Sequence, residues 1–323
     1  MDKKDLVIGI DLGATSTKIG LLDARGHIIA RAASFSSQGY LLSGKLIDNM
    51  AFAVKELMVS FAPRISGIGV GVPGPVDYNK GIVHSLTNIR GWKMTPLREI
   101  LKAKTRLPVY IDNDANAACA GEARWGAARG YKNVVCLMLG SGVGAAVIID
   151  GKIFRGRGYS AAEMGHICID INGPKCNCGA NGCIETFIGN SYIVKDAVRD
   201  LKRGVKSGVL KLAGGRYSKI TPELIDRAAR SGDRFCANVW TKAGKRLGAG
   251  LAGIVNTFNP EVVIIGGGLS KAGRFLLDPV RTTVGRRAMR VFTKGLKIKR
   301  ARFVEDAGIV GAASLAFSGK EKC

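Results

Sequence analysis

The run Ile111-Asp-Asn-Asp-Ala-Asn116 sets two aspartates and two asparagines between an apolar β-branched segment and an alanine-rich one. The pattern predicts a strand over Val109–Asp112 and a helix from about Ala115. The mouth of a strand is where α/β folds present groups to ligands. Asp114 falls at or near the predicted N-cap, where the helix dipole and free N–H groups favour an ionised carboxylate. Capping uses one such residue, and this cluster holds four. The cluster therefore holds more side-chain polarity than capping requires, as a site acting on a bound hydroxyl would need.

A second constellation lies downstream, where Gly165-His166 is followed by Cys176-Asn-Cys178-Gly-Ala-Asn-Gly-Cys183. Three thiols and an imidazole complete a tetrahedral shell of the kind zinc prefers, and the glycines permit the tight loop it needs. Four protein ligands leave no place for water, so His166, Cys176, Cys178 and Cys183 are expected to hold a structural Zn²⁺. Glu163 and Glu185 stand just outside this shell. Each carboxylate accepts two hydrogen bonds, which suits the vicinal hydroxyls of a sugar.

Three glycine turns complete the inventory. In Asp11-Leu-Gly-Ala-Thr-Ser-Thr-Lys18, Gly13 allows close approach of a phosphate, while Thr15, Thr17 and Lys18 add donors. Leu139-Gly-Ser-Gly-Val-Gly144 repeats that logic with Gly140, Ser141, Gly142 and Gly144. Gly267 and Gly268, in Gly266-Gly-Gly268, offer bare backbone against which an adenine or ribose could lie. No Gly-x-x-x-x-Gly-Lys-Ser/Thr sequence occurs, which argues against a P-loop fold. These turns are the candidate ATP site. The paired hairpins resemble the two-lobed actin, Hsp70 and hexokinase (ribonuclease H-like) nucleotide-binding fold, in which a carboxylate of the first hairpin lies near metal-bound phosphates. Asp11 fits that position beside Mg²⁺, although aspartates also serve simply to form turns.

The elements that must position these groups read as α/β. Leu6–Gly13, Lys18–Asp23 and His27–Ala30 predict a strand, a hairpin and a third strand. Ile47, Met50, Val54, Leu57 and Phe61 recur at helical spacing. From Asn133 the strand, turn, strand and hairpin pattern begins again, so the chain holds two copies of one unit. The last third is mostly helical, with a buried strand at Val262–Ile265 and a short apolar helix from Ala307. Two domains are expected: a small one over 1–115, completed by a C-terminal helix at 307–318, and a larger one over 116–306 carrying the zinc loop.

Composition narrows the function classes. In 323 residues, 49 basic and 25 acidic side chains give a formal charge of +24. Such a field attracts anions in general. The basic residues are scattered and not interleaved with stacking aromatics, so no specific nucleic-acid site is expected. No apolar run approaches the roughly 20 residues that cross a bilayer. Of eight cysteines, three belong to the metal loop and most others sit in apolar contexts, which fits reduced thiols in a cytoplasmic protein with no membrane partner.

Several motifs together resemble the ROK family of bacterial sugar kinases and repressors. They are Asp11-Leu-Gly-Ala-Thr, Gly71-Val-Pro-Gly-Pro-Val76, Asn88-Ile-Arg-Gly-Trp92, Asn113-Asp-Ala-Asn116, Leu139-Gly-Ser-Gly-Val-Gly144, Glu163-Met-Gly-His166, Cys183-Ile-Glu185 and Asn259-Pro-Glu-Val-Val-Ile-Ile-Gly-Gly-Gly268. Within the family the chain is most similar to ATP-dependent glucokinases, through Leu212-Ala-Gly-Gly215 and Ile220-Thr-Pro. The resemblance implies phosphorylation of a hexose at its 6-position, glucose first, with a homodimeric assembly. It implies Asp114 as base and Gly74, Asn88, Asn113, Glu163, His166 and Glu185 as sugar contacts. Ser141 stands in place of a more usual threonine, and Ala145-Ala146 in place of a more glycine-rich pair. Two rivals remain: a kinase for another hexose or N-acetylhexosamine, or one using polyphosphate, and a ROK repressor. The repressor is disfavoured because the first hairpin begins at Leu6, leaving no winged-helix segment before it.

Overall fold

Leu6–Leu12 forms strand β1, and its run of apolar side chains is buried on both faces, as expected at the centre of a covered sheet. The structure is a computed structural model that describes residues 6–40, 42–61, 64–86 and 89–320. Strand β2 (Ser16–Asp23) folds back antiparallel on β1, with Leu6 opposite Asp23 and Leu12 opposite Thr17. Strands β3 (Ile28–Arg31) and β4 (Phe35–Ser36) pair with β2. Helix α1 (Ser43–Phe61) then buries Ile47, Met50, Val54 and Leu57, the stripe its spacing predicted. Strand β5 (Ile65–Val72) runs parallel to β1. A small antiparallel sheet follows, built from β6 (Val76–Asp77), β7 (Ile82–Ser85) and β8 (Lys93–Thr95). After α2 (Leu97–Thr105), β9 (Val109–Asn113) joins β5 in parallel and leads directly into α3 (Asp114–Trp125). The first sheet has the order β3-β2-β1-β5-β9.

The predicted repeat is present. Strands β10 (Val134–Leu139), β11 (Val143–Ile149) and β12 (Lys152–Ile153) are followed by helices α4 (Glu185–Ile188), α5 (Asn190–Lys202), α6 (Val209–Leu212), α7 (Pro222–Arg230) and α8 (Arg234–Phe258). Strand β13 (Val262–Gly266), helices α9 (Arg274–Arg287) and α10 (Arg290–Thr293), strand β14 (Lys297–Arg300) and helix α11 (Ala307–Lys320) complete the chain. The second sheet has the order β12-β11-β10-β13-β14, the same sequence of hairpin and parallel strands as the first. Helix ends carry their expected signals. Thr221 caps α7 with Pro222 behind it, Asp233 caps α8, and Asn259 closes α8 in the left-handed region before Pro260.

The fold divides into two compact units. One gathers residues 1–132, 146–162 and 305–323, and the other 133–145 and 163–304. In the first unit α11 packs against β1, β5 and α3 at backbone distance. Gly69 of β5 makes this possible, because a Cβ there would collide with the Ala312 carbonyl of α11. Among the described residues no helix is long and apolar enough to cross a membrane.

Substituting Gly69→Ala should therefore push α11 away from the sheet and cost about 1–3 kcal/mol, as overpacking typically does. Urea unfolding should show a lower midpoint at unchanged slope.

Candidate active site

The carboxyl ends of β1, β5 and β9 bring the first group of predicted residues into one row. Asp11 is in register with Gly71, and Gly71 with Asp112. At the end of β9 three consecutive side chains take different tasks. Asp112 is buried, and its Oδ1 accepts the Asn113 N–H at 2.8 Å and the Asn116 Nδ2 at 2.9 Å. Asn113 is the N-cap of α3, with Oδ1 accepting the N–H groups of Ala115 at 2.9 Å and Asn116 at 3.3 Å. Its Nδ2 donates to the Gly74 carbonyl at 3.4 Å, so these two predicted sugar contacts meet. Asp114 occupies the first turn of α3, half-buried, with Oδ1 accepting the Ala115 N–H at 2.8 Å. Capping thus falls to Asn113, and Asp114 is not needed for it. Asn88 lies outside the described residues.

The first glycine turn joins β1 to β2, with the Gly13 N–H donating to the Ser16 carbonyl at 3.1 Å. Thr15 and Lys18 are exposed there. Thr17 is fully buried, and its hydroxyl is 2.9 Å from that of Ser37. Its side chain supports the turn from inside and presents nothing outward. Burial raises the Asp11 carboxyl above its ordinary value, an effect that Lys18 opposes. Gly308, at the start of α11, leaves the space that the Asp11 carboxylate occupies.

In the other unit, the second glycine turn closes with the Gly140 N–H on the Gly142 carbonyl at 2.9 Å and leaves Ser141 exposed. Glu185, in the first turn of α4, reaches this turn. Its Oε2 accepts the Val143 N–H at 2.9 Å, and a Cβ on Gly142 would strike that carboxylate. Gly144 lies in β11 just beyond. The third turn joins the second, because Gly267 sits against the Leu139 backbone where any side chain would collide. The α-carbon of Gly268 faces open space.

The metal loop forms as its spacing predicted. Isolated bridges between Cys168 and Cys183 and between Lys175 and Asn181 pinch the loop. The ligand atoms of His166, Cys176, Cys178 and Cys183 all lie within 4.8 Å of one another. His166 Nδ1 is 3.6 Å from Cys176 Sγ, and Cys178 Sγ is 3.7 Å from Cys183 Sγ. A tetrahedron with Zn–S bonds of about 2.3 Å has S–S edges of about 3.8 Å, so the donor set fits that ion. Burial pushes the Cys183 thiol up to about 12, and the Ala180 backbone lowers Cys178. Glu163 is exposed and opens the short 3-10 helix Met164–His166, one turn from the cluster.

Two features of the site carried no local signal. The Glu185 bond to Val143 spans 42 residues, and a guanidinium from Arg155 reaches Asp112 across 43. Nothing in the spacing of the motifs pointed to either.

A glucokinase of Thermotoga maritima is 37% identical over 309 residues, covering 96% of each chain. The crystal structure of a ROK family glucokinase from Streptomyces griseus in complex with glucose and AMPPNP superposes with a TM-score of 0.83 at 33% identity, covering 97% of this chain and 100% of that one. A xylose repressor of Caldicellulosiruptor bescii is 34% identical over 97% of this chain and 78% of its own. The fold is accordingly the two-lobed actin/hexokinase-like one of the ROK sugar kinases. The ROK family profile matches residues 7–318, and the chain belongs to the ROK family.

Proposed function

We propose that this chain is an ATP-dependent hexose kinase that phosphorylates glucose at its 6-position. The observation that carries the reading is the end of β9, where Asn113 caps α3 and Asp114 stands beside it, half-buried, in the first helical turn at the carboxyl end of the strand. Identity to the T. maritima glucokinase supports it.

Phosphoryl transfer needs alignment, charge neutralisation and exclusion of water more than covalent help. Asp114 takes the proton of the attacking sugar hydroxyl at its carboxylate. Gly74, Asn88, Asn113, Glu163, His166 and Glu185 hold the sugar. His166 turns Nδ1 toward the thiols, which leaves Nε2 for a sugar hydroxyl. Glu185 spends one oxygen on Val143 and so links the sugar contact to the second glycine turn. Gly13, Thr15, Lys18, Gly140, Ser141, Gly142, Gly144, Gly267 and Gly268 border the nucleotide, with Asp11 near the phosphates and the buried Thr17 bracing its turn. A Mg²⁺ bound with ATP near Asp11 would supply neutralisation of phosphate charge. His166, Cys176, Cys178 and Cys183 would hold a Zn²⁺ that would supply rigidity, with no coordination position left open for chemistry. We take the enzyme to be a cytoplasmic homodimer whose basic surface is a diffuse field and not a nucleic-acid site. The similarity to the xylose repressor favours a second reading, a sugar-responsive regulator.

Asp114→Asn should fold, bind hexose and lose about 10²–10⁴-fold in kcat, the usual loss of a general base. A coupled assay across hexoses, with ATP or polyphosphate as donor, checks this and ranks the substrates. Near wild-type turnover would remove Asp114 from the mechanism. Sequence-selective DNA binding that survives about 0.2 M salt would favour the regulator instead.

Elemental analysis should find one zinc per chain, and Cys183→Ser should lose it. Because the ligands shape the loop between Glu163 and Glu185, the sugar KM should rise sharply in that variant. The ATP KM should change far less. Unchanged sugar affinity without metal would reduce the cluster to coincidence.

A further inference from the structure

Resting on the kinase reading above, we propose that Arg155 is a positioning residue for Asp114 and Asn113, acting through Asp112. Arg155 follows β12, belongs to the same unit as β9 and is largely buried, with a side chain 17% exposed against 2% for Asp112. Its Nε and Nη2 donate to Asp112 Oδ2 at 3.0 and 2.6 Å. Its plane lies over the Tyr78 ring at 3.7 Å, and Nη1 reaches the Ile153 carbonyl at 3.4 Å.

The surroundings of Arg155 are themselves held. Arg98 donates to the carbonyls of Tyr78 at 2.6 Å and Asn79 at 2.5 Å, which fixes the turn carrying the ring. Asn79 Nδ2 donates to the Tyr159 hydroxyl at 2.7 Å. The segment from Ile153 to Tyr159 is thus tied to this unit at two points, one of them the Asp112 carboxylate.

That carboxylate is the lever. Its Oδ2 belongs to Arg155, and its Oδ1 grips the Asn113 N–H and the Asn116 side chain. Those two residues flank Asp114 on either side. Without the guanidinium, a buried carboxylate has lost its cation and must take a proton or turn toward water. Either response releases the hold on Asn113 and Asn116, and with it the orientation of the first turn of α3. Lysine cannot substitute, because a point charge on a flexible stem lacks the planar fork and the stacking face that Tyr78 covers. The effect should fall on the proton-transfer geometry, since small misplacements of a catalytic group cost rate steeply. Among the described residues, no hydrogen bond joins Arg155 or Asp112 to the glycine turns proposed for ATP.

The test is a double-mutant cycle in the full chain with Arg155→Met, Asp112→Asn and the pair combined, plus Arg155→Lys. Hexose kcat, both KM values and the thermal midpoint are read for each. Arg155→Lys should fold and lose about 10–100-fold in kcat, with the ATP KM changed by no more than about twofold. Adding Asp112→Asn to Arg155→Met should cost far less kcat than Asp112→Asn costs alone, because the two act as one unit. If Arg155→Met does not fold, the combined variant, which leaves no unpaired carboxylate, and Arg155→Lys carry the test. A folded Arg155→Lys with a lowered midpoint but wild-type kcat would overturn the inference, leaving the pair purely structural. A wild-type chain that phosphorylates no hexose would overturn the kinase reading and this inference with it.

Discussion

The junction of β9 and α3 is the constraint on which the rest of the site depends. A strand that ends inside the fold must satisfy its last polar groups, and a helix that begins there must satisfy its first N–H groups. The chain meets both needs with residues next to the proposed base. Asp112 faces inward and is saturated by hydrogen bonds, and Asn113 caps the helix. Asp114 opens the helix, its Oδ1 accepting the Ala115 N–H. Parallel pairing through β5 sets this junction in the same row as Asp11, so the proposed base and the proposed phosphate-side carboxylate derive from one sheet edge.

In the second unit a comparable economy joins three functions. The Cys₃His loop and α4 are contiguous in sequence, and the first helical residue, Glu185, bonds back to the second glycine turn. Gly267 then fixes the third turn against the end of β10. The candidate metal loop, Glu185 and the second and third glycine turns are therefore mechanically connected. On the proposed reading, a metal held in that loop would act on substrate binding through this connection and not in the chemistry.

What the sequence made legible was local. The two hairpins could be read because strand, turn and strand lie within about two dozen residues and keep their β-branched character. The candidate metal cluster could be read because His166 and the three cysteines fall within one short segment, and three thiols and an imidazole so close have few other uses. What escaped was either long-range or too short to show a period. Strands β6, β7 and β8 have two to four residues each. The Arg155 contact and the approach of Gly69 to Ala312 join segments remote in sequence. Thr17 shows a different gap, because residue type alone makes its hydroxyl a phosphate donor. Alternation along β2 puts it on the inward face with Ile19, and Ser37 takes the bond.

Transfer of phosphate from ATP to a hexose hydroxyl by these residues can be followed in purified wild-type chain with ATP, Mg²⁺ and glucose by phosphorus NMR. A hexose 6-phosphate monoester signal should grow in step with ADP, with little inorganic phosphate, since water would be kept from the donor. Release of inorganic phosphate at the rate of ADP, or no consumption of ATP in the presence of any hexose, would contradict it.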